Sequence, residues 1–159
     1  MVTKDINLYE SGSGGEISII SNDLNLGESL FQQVYLALFG GNVASVTRGD
    51  EILSQERFDY WGNALFYKDN PNKQFNSITE KTLQEVVLNS SGRLKIESSV
   101  KEDLAYLGDL LDYTVSVIFE NTNNVVIIIN FTQKSNQENK ILQFVYNNAK
   151  NELIIDRKI

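Results

Sequence analysis

Two stretches near the N-terminus alternate polar and apolar residues. They are residues 5–9 and 16–20, and a serine- and glycine-rich stretch at residues 11–15 separates them. A period of two residues is typical of half-buried strands, and small residues between two such stretches are typical of a turn. The sequence therefore predicts an N-terminal β-hairpin.

Three later stretches carry apolar residues at helical spacing. The first runs from Glu28 to Phe39 and stops at a glycine pair, which favours a helix end. The second begins with residues 77–80, Ser-Ile-Thr-Glu, which fit a capping box. In the third, Glu97 and Lys101 lie one turn apart on the predicted solvent side. Its predicted apolar stripe consists of Leu94 or Ile96, then Val100, Leu104, Leu107 and Leu111.

From residue 112 onwards the period changes to that of strands. Four strands are predicted, at residues 113–119, 125–132, 141–147 and 152–156. Asparagine-rich turns join the first to the second and the third to the fourth, and asparagine tolerates the left-handed backbone that tight hairpins need. The chain is therefore predicted to be an α+β protein: an N-terminal hairpin, about three helices and a C-terminal antiparallel meander.

The second predicted strand of the meander is apolar on both faces. Val125–Ile129 contains no polar residue, so one face can cover the helices while the other needs cover as well. An open meander also has two edge strands whose main-chain groups can accept a strand from another chain. The alternative is that the N-terminal hairpin of the same chain covers this sheet.

Length and composition narrow the range of functions. A chain of 159 residues suits one hydrophobic core, so residues 1–159 are predicted to form a single domain. A net charge of −7 opposes binding to nucleic acid and to anionic membranes. The absence of cysteine excludes disulfides and thiolate metal sites. The N-terminus lacks a secretory pattern, which predicts a product made in the cytoplasm.

Candidate catalytic chemistry is sparse. The chain has no histidine, which excludes histidine-based triads and imidazole metal sites. A carboxylate pair of the glycosidase kind remains open, and the candidates are Asp50, Glu51, Glu56 and Asp59. Ordinary solvated surface acids explain these four residues better, because nothing in the sequence singles out two of them as an acid and base pair. We therefore predict that the chain is not an enzyme and uses no metal or cofactor.

An aromatic region between residues 42 and 76 could provide a stacking platform, a docking anchor or simply core. It holds Trp61-Gly62-Asn63 and, further on, Phe75-Asn76-Ser77 just before the paired helices. With the order of the other elements, these motifs resemble the Mu-type baseplate proteins, sheath initiators of contractile phage tails related to the T-even "lysozyme-like" baseplate wedge protein. The resemblance covers most of residues 4–133.

Three segments depart from the pattern of that family. Family members often carry an acid after Trp-Gly, where this chain has Asn63. They also often carry a Gly-Ser-Arg-Leu-Trp-like run before the helices, where this chain reads Gln74-Phe75-Asn76-Ser77. The T-even branch has Glu-Pro-Arg before its sheet, where this chain reads Leu111-Asp112-Tyr113. The wedge contacts made by that motif are therefore not carried over.

The resemblance implies a structural protein of the virion's tail baseplate, made in the bacterial host and present in six copies. It would link the baseplate wedge proteins to the first ring of the tail sheath protein, with the tail tube proteins as a further candidate partner. Neither nucleic acid nor membrane is an expected partner. A sheath subunit would join by adding strands to its sheet. The predicted interface residues are Trp61, Gly62, Asn63, Phe75, Arg93, Val126, Ile128 and Phe131. Two alternatives stay open: a carboxylate-dependent peptidoglycan hydrolase and a cytosolic protein-binding module.

Overall fold

The structure of the chain is a computed structural model. The structure describes residues 4–10, 15–40, 67–70, 76–134, 137–150 and 152–158. The chain divides into two compact units, residues 1–77 and residues 78–159. Helices and antiparallel sheets both occur, which confirms the predicted α+β class. The prediction of a single domain stays a prediction.

In the described part of the first unit, six short strands form three antiparallel pairs. Their bounds are β1 Lys4–Ile6, β2 Leu8–Glu10, β3 Gly15–Ile17, β4 Ile19–Ile20, β5 Asp23–Leu24 and β6 Leu26–Glu28. The predicted hairpin is confirmed where β2 pairs with β3, but β1 pairs with β6 and β4 pairs with β5. The N-terminal segment is thus a branched set of three pairs, with the two predicted strands each interrupted once.

The branch point of these pairs is a ring of main-chain hydrogen bonds. Asn7 N donates to Asn25 O, Ser18 N donates to Asn7 O, and Asn25 N donates to Ser18 O, each at 2.9 Å. The main-chain groups at the two interruptions, Asn7 and Ser18, are therefore hydrogen-bonded to each other and to Asn25, although neither residue belongs to a strand. Ser21 and Asn22 both have positive φ, 53° and 64°, which suits the two-residue turn between β4 and β5.

Helix α1 spans Ser29–Phe39, within one residue of the predicted bounds. Its buried residues include Val34 and Leu38, which lie one turn apart as the helical spacing predicted. A side chain at Gly40 would collide with the carbonyl oxygen of Leu36, so glycine at this position allows the helix to end. Ser77, at the end of the first unit, donates a hydrogen bond from its hydroxyl to the carbonyl of Leu38.

Two helices begin the second unit. Helix α2 spans Ile78–Glu85 and helix α3 spans Ser90–Asp103, and a short 3-10 turn at Ala105–Leu107 follows. The side chain of Asn89 caps α3 by accepting a hydrogen bond from Gly92 N at 2.8 Å. The predicted apolar stripe is buried and consists of Ile96, Val100, Leu104, Leu107 and Leu111, whereas Leu94 is exposed.

The start of α2 is capped by a residue from α3. The carboxylate of Asp103 accepts hydrogen bonds from Ile78 N at 3.0 Å and Thr79 N at 2.7 Å. These are the N-terminal amides that have no acceptor within their own helix. The capping box predicted the position of the helix start, and the acceptor for these two amides comes from 24 and 25 residues away.

A four-stranded antiparallel sheet completes the second unit. Its strands are β7 Leu111–Phe119, β8 Asn124–Gln133, β9 Asn139–Asn147 and β10 Glu152–Lys158, in the order β10-β9-β8-β7. This order is the predicted meander, and each predicted strand is found. The turn before β8 uses Asn121, whose side-chain oxygen accepts from Asn123 N at 2.8 Å and from Asn124 N at 2.9 Å.

The two faces of this sheet differ in burial. On β8, the odd-numbered side chains Val125, Ile127, Ile129 and Phe131 are at most 1% exposed. The first three lie in register with buried side chains of β9, Tyr146, Phe144 and Leu142, and Phe131 lies opposite Lys140. The tyrosine hydroxyl of Tyr113 on β7 donates to Lys101 O at 3.0 Å, which places α3 beside this face. We call it the inner face, and the opposite one the outer face.

Candidate functional site: the outer edge of β7

Strand β7 forms one edge of the sheet. At its two ends, Glu120 N donates to Asn124 O and Lys134 N donates to Leu110 O. In an antiparallel pair, residues that bond the partner alternate with residues whose N–H and C=O point the other way. These two bonds therefore direct the even-numbered residues of β7 towards β8. The outward residues are the odd-numbered ones, Leu111, Tyr113, Val115, Val117 and Phe119.

No strand among the described residues pairs with that outward side of β7. The other edge of the sheet is β10, which is likewise without a second partner strand in the described ranges. The two edges are not equivalent. β7 has nine residues in continuous register with β8, whereas β10 has seven and its register shifts between Leu153 and Ile155. Because a bulge disrupts a ladder and twists an edge away, β7 is the better edge for accepting another strand.

Helix α3 contributes a carboxylate to the β7 edge. The Glu97 Oε1 atom accepts a hydrogen bond from Val117 N at 3.4 Å, and Arg93 Nη1 lies 3.5 Å from the same oxygen. The side chain of Glu97 is only 18% exposed, against 47% for Arg93. The predicted solvent-side pairing of Glu97 with Lys101 is therefore wrong. Glu97 instead lies over the edge strand and pairs with the arginine one turn before it.

The predicted interface residues of β8 occupy different places. Phe131 lies on the inner face, 1% exposed, and its ring centroid is 6.2 Å from that of Tyr113. It therefore belongs to the core. Val126 and Ile128 lie on the outer face, where Val126 is 8% exposed and Ile128 is half-buried. Of the three, Ile128 has the most surface available to a partner.

The outer face mixes apolar and polar side chains in cross-strand rows. The row through Ile128 places it between Ser116 and Gln143, and the next row places Val126 between Ile118 and Val145. Ile118 is 49% exposed, whereas Val145 is buried. The outer face is therefore unevenly buried, with Val126 and Val145 buried and Ile118 and Ile128 more exposed. The prediction that β8 is apolar on both faces is correct, and its two faces are not equally buried.

Four predicted interface residues, Trp61, Gly62, Asn63 and Phe75, lie outside the described residues. The candidate acids Asp50, Glu51, Glu56 and Asp59 lie outside them as well. Both predictions therefore stay predictions. The eighth residue, Arg93, is on the exposed side of α3 and takes part in the edge through Glu97.

The partly buried carboxyl group of Asp103 has a structural role. Burial raises its pKa, while hydrogen bonds from Thr79 and Ile78 act in the opposite direction. Burial thus disfavours the ionised carboxylate, and the hydrogen bonds that cap α2 favour it. In the described part of the chain, no three acidic residues come together in a way that could hold a metal ion.

Sequence reasoning missed the contact of Glu97 with the sheet edge. Helical spacing placed Glu97 opposite the apolar stripe, and that assignment says nothing about how a helix crosses a strand. The residue three positions before it, Leu94, is 58% exposed. Arg93 and Leu94 both lie about one helical turn before Glu97 on α3, and Glu97 is the residue that contacts the β7 edge.

Neither a family model, nor a curated protein, nor a solved structure matches this chain. None of the described helices is long and apolar enough to cross a membrane.

Proposed function

We propose that this chain is a non-enzymatic structural protein that accepts an extended segment of a partner at the outer edge of β7. The observation that carries the proposal is the row of outward main-chain groups at Tyr113, Val115, Val117 and Phe119, which no described strand occupies. These residues recur at every second position, which is the spacing at which an antiparallel strand forms its hydrogen bonds. The N–H and C=O of each outward residue can therefore bond every second residue of the added strand.

The flanking surfaces suit such an addition. Hydrogen bonds to the main chain of β7 would set the register of the incoming strand, and apolar contacts would supply most of the attraction. On the outer face, the exposed Ile118 of β7 and the half-buried Ile128 of β8 could pack against apolar side chains of the added strand.

The identity of the partners rests on the resemblance to the baseplate family. We propose that the chain belongs to the baseplate of a contractile phage tail, in six copies, where it links wedge proteins to the first ring of the sheath protein. The sheath protein would supply the extended segment. The resemblance supports this assignment through the element order and the Trp61-Gly62-Asn63 motif, and the open β7 edge supplies a compatible mode of attachment.

The test is to block the edge without breaking the sheet. Val115→Pro removes an outward N–H and adds a ring there, while the bonds of β7 to β8 come from the even-numbered residues. Val115→Ala is the matched control, since it loses a similar side chain and keeps the N–H. We expect the Ala variant to sediment with tail particles and to support sheath assembly, and the Pro variant to fail in both.

Both variants are first compared by far-UV circular dichroism and urea unfolding, so that loss of assembly is read only from folded protein. Normal tails with a folded Val115→Pro variant would overturn strand addition at β7. A wild-type chain that binds a cytosolic protein and never sediments with tails would overturn the baseplate assignment and favour the binding-module alternative.

A further inference from the structure

The acceptor on Val117 N–H is a side chain and not a strand. Glu97 reaches it from α3 at 3.4 Å, which is longer than the 2.7–3.2 Å usual for such bonds. A main-chain carbonyl at ordinary distance would satisfy the same N–H better. The present bond therefore protects an edge amide while remaining easy to replace, which is how edge strands avoid unwanted pairing.

The position of Glu97 also determines what an incoming strand meets. The carboxylate is 18% exposed and lies beside the inner-face side of the edge, because Val117 and Tyr113 both point to that face. An added strand would cover it further. A buried carboxylate that loses a hydrogen bond needs a replacement partner, and Arg93 at 3.5 Å is a long and exposed one.

Charge complementarity therefore favours a basic occupant. The chain carries a net charge of −7, and an acidic or neutral strand would leave Glu97 with less compensation than a basic one. A lysine or arginine on the inner face of the added strand, opposite the Val117 position, could pair with Glu97. An extended segment with basic residues on one face is the chemistry that fits.

We propose that Glu97 is a removable cap of the β7 edge: it holds Val117 N–H in the free chain, and yields it to a main-chain carbonyl of a basic extended segment, whose cation then pairs with the Glu97 carboxylate. This inference rests on strand addition at β7 as the proposed function. It adds which amide is released, which side chain moves and what charge the partner carries.

The cap is tested first without any partner. Amide hydrogen exchange by NMR on the full chain compares Val117 with Val115, which lies on the same outward side of the same strand. A hydrogen bond to a carboxylate predicts exchange slower by about tenfold at Val117 than at Val115. Glu97→Ala should remove this difference. Glu102→Ala, which deletes an exposed carboxylate from the same helix, should preserve it.

Two results at this stage would overturn the cap. One is equal exchange of Val117 and Val115 in the wild-type chain. The other is a difference that survives Glu97→Ala in a variant whose circular dichroism matches the wild type. Both results leave the outcome of the Val115→Pro assembly experiment unaffected, so a failure of the cap and a failure of strand addition are distinguishable.

The partner chemistry is tested with synthetic strands. The probes are an eight-residue peptide alternating valine and lysine with blocked ends, its counterpart with glutamate for lysine, and the basic peptide N-methylated at alternate residues. Binding is followed by the amide shifts of Val115 and Val117. We expect the basic peptide to bind about fivefold more tightly than the acidic one, as for one partly exposed ion pair. We also expect the N-methylated peptide not to bind.

Glu97→Gln separates charge from capping, because glutamine can still accept the hydrogen bond of Val117 but carries no charge. In this variant the preference for the basic peptide should be weaker than in the wild type, with only the contribution of the net charge of the chain left, while the slow exchange of Val117 remains. Equal binding of both peptides to the wild type, or no binding of the basic peptide at millimolar concentration, would overturn the basic occupant. Binding to Glu97→Ala but never to the wild type would show that the cap does not yield.

Discussion

Two neighbouring isoleucines on β8 provide a direct test of which face of the sheet is core. Ile127 is fully buried on the inner face, in register with Val117 on one side and Phe144 on the other. Ile128 is half-buried on the outer face, between Ser116 and Gln143. Both residues lie in the same strand and share the same β-branched side chain, so their truncation to alanine changes strand propensity equally.

The expected magnitudes differ because the burial differs. Ile127→Ala removes three carbon atoms from a site with no solvent access and neighbours on two strands, for which we expect a loss of about 3–4 kcal/mol in the free energy of unfolding. Ile128→Ala removes the same atoms from a half-exposed site, for which the lost burial amounts to about 1 kcal/mol. The difference between the two variants is more reliable than either value, since the unfolded-state term is shared.

The assay is urea denaturation of the full chain, followed by circular dichroism, with the slope of the transition compared between variants. Equal slopes show that the same amount of surface is exposed on unfolding. Equal losses for the two variants, or a larger loss for Ile128→Ala, would refute the assignment of faces. They would also remove Ile128 as a candidate for contact with a partner.

Three further predictions concern the caps and turns. Asp103→Ala should lower the free energy of unfolding by about 2 kcal/mol in urea titrations at neutral pH, because two amides of α2 lose their acceptor. Since burial raises the pKa of Asp103, the folded state takes up its proton more readily than the unfolded state. Its ionisation therefore lowers the free energy of unfolding as pH rises from the ordinary aspartate range through the folded pKa. Urea unfolding of the wild type and of Asp103→Asn between pH 3 and pH 7 measures this loss as the change in the difference between their free energies of unfolding. Ser21→Asn should slow amide exchange in the turn between β4 and β5, because asparagine tolerates the positive φ of 53° better than serine, and unchanged exchange would contradict that reason.

The strands and helices of this chain follow closely from local pattern. The period-two stretches after residue 112 predict the four strands of the meander, and α1 was predicted to within one residue of its start. Local pattern succeeds here because each element buries one face, so its apolar residues recur with its own period. The glycine after α1 and the asparagines in the turns reinforce the same boundaries.

Contacts between elements are where the sequence was insufficient. The N-terminal strands are interrupted at Asn7 and Ser18 because a third segment at Asn25 completes their hydrogen bonds, and no local period contains that information. The cap of α2 comes from Asp103, far along the chain, for the same reason.

The candidate site shows the same division. The sequence by itself determined that the chain ends in an antiparallel meander with a strand that is apolar on both faces. Only the tertiary structure decided that the inner face of β8 is core, that β7 is the edge strand with a continuous register, and that Glu97 lies over it. The helical spacing of apolar residues predicts which side of α3 points away from the core. Where that side lies relative to a strand edge depends on how helix and sheet cross, which is set by the packing of both together.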